Sequence, residues 1–264
     1  MCIFMKKENS QGPISQINFS LRKLTLRKPL LSLAIVSGLL LANLIQTPAL
    51  ADFEAGWTAY QNGNFAKALK EWRVLAKKGD AKAQFNLGVM YDEGRGVKED
   101  RQKAINWWVK AAERKNKEAQ HNLGMTYLFG SGVNIDYVKA VSWLKKASNQ
   151  GSARSQYSLG KMYSEGLGVK KDKTEAFNWI MRAAESGVYQ AQYNLGKIFR
   201  DGRGVERDAK KAAQWFLAAA KQGYAKAQNH LATRYARGQG ITADMVEAYK
   251  WMSLAAQRGH SQAK

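Results

Sequence analysis

Between residues 80 and 259, serine stands three residues before lysine twice, as Ser142 with Lys145 and Ser158 with Lys161. One helical turn separates such a pair, so a lysine amine can take the serine proton and free the oxygen for acyl transfer, as in penicillin-type serine enzymes. The Ser-Asp-Asn and Lys-Thr-Gly segments that complete such a site do not follow. In a chain this rich in serine and lysine one or two matches arise by chance. A hydrolase of cell-wall peptides or β-lactams is therefore the weakest functional reading, and no catalytic residue is assigned. The three histidines, His121, His230 and His260, have no second His or Cys at helical spacing, so no metal or other cofactor is expected. His121 and His230 read as residues of a repeat surface. Gly-x-Gly pairs follow helices instead of opening them and lack a preceding strand, which makes them turns and not phosphate cradles.

The elements that carry these residues are set by an internal repeat. Leu87, Leu123, Leu159, Leu195 and Leu231 are spaced by 36 residues without insertion or deletion, the signature of a stacked repeat architecture. Five full units span 80–115, 116–151, 152–187, 188–223 and 224–259. A shortened unit, 52–79, precedes them, and residues 260–264 begin another. Within a unit Ala83, Leu87, Met90 and Tyr91 fall on one helical face, and their counterparts do so in every later unit. This first helix stops at a glycine pair, Gly94 and Gly96 in the first full unit, the first suited to the left-handed position after a helix.

Asp100, Asp136, Asp172, Asp208 and Asp244 then open the second helix by accepting from its free amides. Glu175 and Glu247, three residues on, are placed for capping boxes. The buried stripe of the second helix is expected to be an alanine column at Ala104, a tryptophan column at Trp107, Trp143, Trp179, Trp215 and Trp251, and a second alanine column at Ala111. Trp57 and Trp72, in the shortened unit, are expected nearer the surface. A further glycine, Gly151, Gly187, Gly223 or Gly259, closes each unit, with Lys115 in its place once. Each hairpin can bury its apolar face only against its neighbours, so six hairpins make an all-α stack.

The segment Ala191-Gln192-Tyr193-Asn194-Leu195-Gly196, followed by Gly202-Arg203-Gly204-Val205, Asp208 and Ala219-Ala220, closely resembles the Sel-1-like repeat family, a relative of the tetratricopeptide repeat. The resemblance covers about residues 52–259. It implies a right-handed α-solenoid of antiparallel helix hairpins, and a bacterial adaptor, regulatory or host-interaction protein in preference to an enzyme. The chain ends five residues into a repeat, where similar proteins often continue with a polar capping helix, so the expectation is an exposed terminal apolar face that serves either a self-association contact or a truncated chain.

Arg22, Lys23, Arg27 and Lys28 precede an apolar run from Leu30 to Ile45, followed by Pro48 and Ala49-Leu50-Ala51. This reads as a secretory leader cleaved after Ala51. Sixteen residues containing Ser32, Ser37 and Asn43 fall short of the roughly 20 that a membrane span needs. The unusual length of residues 1–21 suggests a translation start further downstream. The single cysteine, Cys2, lies ahead of the leader, so the mature chain has no thiol and must be stabilised by packing alone. The expected location is the periplasm or outside the cell, with no stable membrane span after cleavage.

The whole chain carries a formal charge of +21, and +16 remains beyond residue 51. Much of this basicity lies on solvated helix faces, yet it suits an anionic partner. The first-helix residues that point away from the stack are the third, sixth, tenth and thirteenth of each unit. The sixth supplies Phe85, His121, Tyr157, Tyr193 and Asn229. Arg154 at the third, Lys161 and Lys197 at the tenth, and Arg200 at the thirteenth flank these rings. Aromatic residues beside arginine are the usual composition of a binding hot spot. The expected function is a non-catalytic scaffold holding a protein or peptide in a groove lined by these residues. Anionic envelope glycan is the alternative, nucleic acid is not expected, and ordinary packing between neighbouring first helices is the bland explanation of the same strip.

Overall fold

A computed structural model describes residues 51–257. The leader up to residue 50, His260 and the start of a further unit lie outside the described residues. Among these, twelve helices form six antiparallel hairpins: α1 (Phe53–Gln61) with α2 (Phe65–Lys77), α3 (Ala81–Glu93) with α4 (Arg101–Glu113), α5 (Lys117–Phe129) with α6 (Tyr137–Asn149), α7 (Ala153–Glu165) with α8 (Lys173–Glu185), α9 (Tyr189–Asp201) with α10 (Ala209–Lys221), and α11 (Ala225–Arg237) with α12 (Met245–Gln257). Each helix packs on its hairpin partner and then on the next hairpin, which gives the right-handed α-solenoid. α1 has nine residues against thirteen in every other helix.

The sequence punctuation works as its chemistry dictates. Gly94, Gly130, Gly166, Gly202 and Gly238 end the first helices in the left-handed region. Asp100, Asp136, Asp172 and Asp208 accept from amides in the first turn of the second helices, and Asp244 does the same for α12. The capping boxes do not form. The Asp172 and Asp244 amides already donate to the Tyr163 and Tyr235 carbonyls, leaving nothing for a returning glutamate. Glu175 and Glu247 instead accept from the indoles of Trp179 and Trp251, at 3.0 and 2.9 Å.

In α4, α6 and α10 the core side chain stands one residue beyond the expected tryptophan, and in α8 both positions are buried. The large buried side chains are Trp72, Trp108, Leu144, Ile180 and Phe216, none more than 5% exposed. They fit against glycines of the first helices: a Cβ on Gly160 or Gly196 would lie 2.8 Å from Ile180 or Phe216. The neighbouring tryptophan column is half-buried at Trp107, Trp143, Trp215 and Trp251, with only Trp179 buried. Cations lie over three of the half-buried indoles, Lys110 at 4.6 Å from Trp107, Lys146 at 4.0 Å from Trp143 and Lys250 at 5.8 Å from Trp251. In the shortened unit Trp72 is fully buried, contrary to expectation, because it belongs to the glycine-facing column and packs on Gly56; Trp57 is 39% exposed as expected.

Candidate functional site

The candidate face is built by α3, α5, α7, α9 and α11. The sixth residues of the units lie half-buried between successive first helices. Phe85 packs on the cluster around Trp108. The His121 ring nitrogen Nδ1 is 2.8 Å from Ser155 Oγ on α7, and Ser155 is fully buried. Tyr157 Oη accepts from the side-chain amide of Asn194 on α9 at 2.9 Å. Tyr193 lies 5.8 Å from Phe216 and 5.6 Å from His230. Asn229 is half-buried and gives its backbone carbonyl to the Thr233 hydroxyl. The His121–Ser155, Tyr157–Asn194 and Tyr193–His230 contacts tie neighbouring units together, so part of the strip performs the packing role that competed with recognition. The basic residues are more open: Arg154 and Lys161 are exposed, Lys197 is half-buried with its ammonium 5.6 Å from the Tyr193 ring, and Arg200 makes a forked contact with Asp201 at 2.6 and 3.0 Å.

The strip is richer in aromatic groups than its spacing indicates. Tyr224 stands against Tyr193 edge to face at 5.2 Å and against Tyr189 at 5.0 Å, while His230 stacks on Phe216 at 5.0 Å. Burial, with the nearby Tyr193, Tyr157 and Tyr189 hydroxyls, pushes the Tyr224 phenol up to about 12, so it stays neutral and a hydrogen-bond donor at any working pH. Tyr224 holds the position just before α11, where Asp80 and Asn116 cap their helices with side-chain oxygens and Tyr224 does not. An aromatic where a cap belongs was the available sign that this residue serves the face.

His121 is a contact residue and not a surface one. Burial, with Arg154 nearby, lowers its pKa from 6.5 to about 4, so the folded protein keeps it neutral. A group whose folded pKa lies below its unfolded value loses stability as protons become available to the unfolded chain. Between pH 6.5 and 4 only the unfolded state binds the proton, and stability falls with falling pH. Lowering the pH from 7 to 5 is expected to cost about 2 kcal/mol through this residue. His121→Phe, the side chain that Phe85 places at the equivalent position, is expected to remove that part of the slope. Urea unfolding of both proteins at pH 7 and 5 checks it, and parallel slopes would reject the assignment.

Ser142 and Lys145 are exposed on α6, and the Ser158 hydroxyl donates to the Met125 sulfur at 3.6 Å. The described residues contain no group of three or more His, Cys, Asp or Glu that could hold a metal. No described helix is long and apolar enough to cross a membrane.

Two clefts flank the fourth hairpin. One, of about 540 Å³, opens on the first-helix face between α7 and α9, with Lys161 and Lys197 at its rim and Phe177 and Ile180 at its floor. The other, of about 890 Å³, lies between α8 and α10, with Met181, Phe199 and Trp215 in its walls and charges of both signs around it.

Five consecutive stretches, 81–116, 117–152, 153–188, 190–224 and 225–260, match the Sel1 repeat. The chain has no match among curated proteins. Among solved structures it is similar to a protective antigen of uropathogenic Escherichia coli strains displaying an SLR fold, with 36% identity and a TM-score of 0.76 over 80% of this chain and 46% of that one. It thus spans less than half the length of that antigen. A Sel1 repeat protein from Oxalobacter formigenes is 33% identical with a TM-score of 0.74, covering 81% of this chain and 85% of its own. An immunity protein from Pseudomonas aeruginosa, at 20% identity and a TM-score of 0.52, shares the fold alone. With its 36-residue units, its glycine-facing core and these matches, the chain belongs to the Sel1 repeat family.

Proposed function

We propose that the protein is a non-catalytic scaffold which holds a protein or peptide segment along the face of its first helices, after export to the periplasm or the cell exterior. Sel1 repeat proteins are in general protein-interaction scaffolds, and the location rests on the leader sequence over residues 22–51. The observation that carries the reading is a contrast within each repeat. The leucine column at Leu87 and the alanine columns at Ala104 and Ala111 repeat in all five units, whereas the face changes from Phe85 to His121, Tyr157, Tyr193 and Asn229. A stack that needed only to pack could repeat its face as it repeats these columns. Instead the face carries tyrosines fixed by their neighbours, rigid and half-buried, with exposed cations such as Arg154 and Lys226 beside them. Rigid aromatics lose little entropy on binding and supply much of the energy of an interface.

The test leaves the packed tyrosines alone. Arg154→Glu with Lys226→Glu reverses two exposed charges on the face. It is expected to leave melting unchanged while weakening crosslinked capture of envelope proteins by about tenfold, because each reversal removes a charge-assisted hydrogen bond to the partner. Capture equal to that of the unaltered protein would reject the face as the binding surface. Retention on anionic polysaccharide that falls away steeply with salt, without any protein captured, would favour a glycan ligand instead.

A further inference from the structure

Each step from one hairpin to the next contains an equivalent slot, walled by the thirteenth residue of one first helix, the opening residue of the second helix that follows it, and the next first helix. Between the second and third hairpins this slot is satisfied internally: Asp92 pairs with Arg101, and the space beside Met125 is about 190 Å³. At the next step the same two places hold Leu128 and Tyr137, an apolar pair. Two steps further on they hold Arg200, engaged by Asp201, and Ala209.

The step between the fourth and fifth hairpins is different. Lys173 takes the place of Arg101, but Ser164 takes the place of Asp92, and its hydroxyl is spent on the Lys161 carbonyl at 2.8 Å. Lys197 takes the place of Met125. The cation of the internal pair is thus kept and another added, while its carboxylate is deleted. Lys161, Lys171, Lys173 and Lys197 line the opening, and none is in an ion pair with a described carboxylate; Glu165 is the one acidic residue in the lining. The loop also stands off here. A Cβ on Gly204 would be 3.5 Å from its nearest neighbour, Lys173, whereas at Gly96 the corresponding approach to Phe65 is 2.7 Å. The slot widens to about 540 Å³ over an apolar floor of Phe177, Ile180 and Ile198. Burial of the Lys197 amine, with Arg203 and Arg200 nearby and Asp201 opposing them, lowers its pKa.

We infer that this slot receives a carboxylate side chain from an acidic peptide segment of the partner, which takes the position that Asp92 fills internally two steps earlier, while an adjacent apolar side chain of the peptide rests on the Phe177 and Ile180 floor. The inference rests on the peptide-scaffold reading above and names the chemistry of what is held. Charge complementarity selects an acidic ligand, and the apolar floor selects a peptide over a polyanion that lacks apolar side chains.

The experiment uses the full chain and fluorescein-labelled peptides of alternating acidic and apolar residues, with counterparts in which every aspartate and glutamate is replaced by its amide. Fluorescence anisotropy is expected to show the acidic peptides binding at least about tenfold more tightly than the amides, the worth of one charge-assisted hydrogen bond. Ser164→Asp restores the missing internal carboxylate without removing any cation. It is expected to weaken the acidic peptides by about tenfold or more and to leave melting unchanged or raised. Lys173→Gln should weaken them likewise, and it decides the matter if Ser164→Asp does not fold. Equal binding of acidic and amide peptides, no binding of any peptide at millimolar protein, or an affinity indifferent to both substitutions would overturn the inference. So would a sulfated polysaccharide that binds both proteins equally where the peptides do not. If Arg154→Glu with Lys226→Glu loses the natural partner and Ser164→Asp does not, the slot is wrong and the scaffold reading stands. If all variants capture it equally, the scaffold reading is what failed.

Discussion

Phe216→Ala is expected to destabilise the protein by about 3–5 kcal/mol, the cost of removing a fully buried aromatic ring and leaving its space unfilled. Phe216 has no exposed surface. Its ring meets the Gly196 backbone on α9, lies 5.8 Å from Tyr193 and stacks on His230 at 5.0 Å. It therefore joins three successive helices, α9, α10 and α11, and its loss uncouples two hairpins as well as weakening one. On the α9 side nothing can refill the cavity, because Gly196 has no side chain to move. Trp215, one residue earlier and larger, is half-buried and borders the 890 Å³ cleft. Its replacement by alanine is expected to cost roughly half as much, about 2 kcal/mol, since part of its ring already meets water. Urea unfolding followed by circular dichroism measures both. Amide exchange should show the faster opening in Phe216→Ala confined first to α9, α10 and α11. Equal losses from the two substitutions would contradict the placement of the core column.

The same pair shows what a sequence of this kind discloses. A 36-residue period identifies equivalent positions without ambiguity, so the leucine column, the loop glycines and the capping aspartates could be placed from residue types alone. The period does not say how far each helix is rotated about its own axis. Positions 107 and 108 are both tryptophan, and adjacent helical residues differ by about 100°, so rotation decides which of the two is buried. The eye goes to Trp107 because tryptophan recurs there in every unit; the residue that fills the core varies among Trp108, Leu144, Ile180 and Phe216. The informative residue was on the other helix. Gly88, Gly124, Gly160 and Gly196 sit inside helices where glycine is unfavourable by about 1 kcal/mol, and such a column makes sense only if something large lies against it.

The candidate face was legible to a similar depth. Spacing put His121, Tyr157 and Tyr193 in one row, and that row exists. It could not show that His121 reaches Ser155 or that Asn194 donates to Tyr157, because these bonds depend on the distance between successive first helices. Small-residue columns set that distance only when the hairpins are stacked. The slot at Ser164 was invisible for the same reason. It is recognised by comparing what fills one place at four successive steps, and the place itself is defined by the assembled stack.

Gly168→Ala is expected to be as damaging as the loss of Phe216, about 4 kcal/mol, although it adds a single methyl to a half-buried loop. Gly168 is the second glycine of the turn between α7 and α8, at φ +69°, where an alanine costs roughly 1–2 kcal/mol from its own backbone conformation. Its backbone also lies on the beginning of α6 in the preceding hairpin. A methyl there would overlap the Tyr137 carbonyl and stand 2.8 Å from the Val138 nitrogen. Neither atom can swing away as a side-chain end would, because both belong to the first turn of α6, so the hairpins must move apart; overpacking of this kind typically adds about 1–3 kcal/mol. Gly151 separates the two contributions. It has nearly the same conformation, φ +79°, but a Cβ there would meet nothing within 4 Å, and the equivalent place one unit earlier is held by Lys115 at φ 62°. Gly151→Ala is accordingly expected to cost only about 1 kcal/mol. Comparing the two by urea unfolding isolates the contact between hairpins from the strain within a residue. A Gly168→Ala protein no less stable than Gly151→Ala would mean that the loop does not bear on the preceding helix, and that the solenoid is held between units by its helix faces alone.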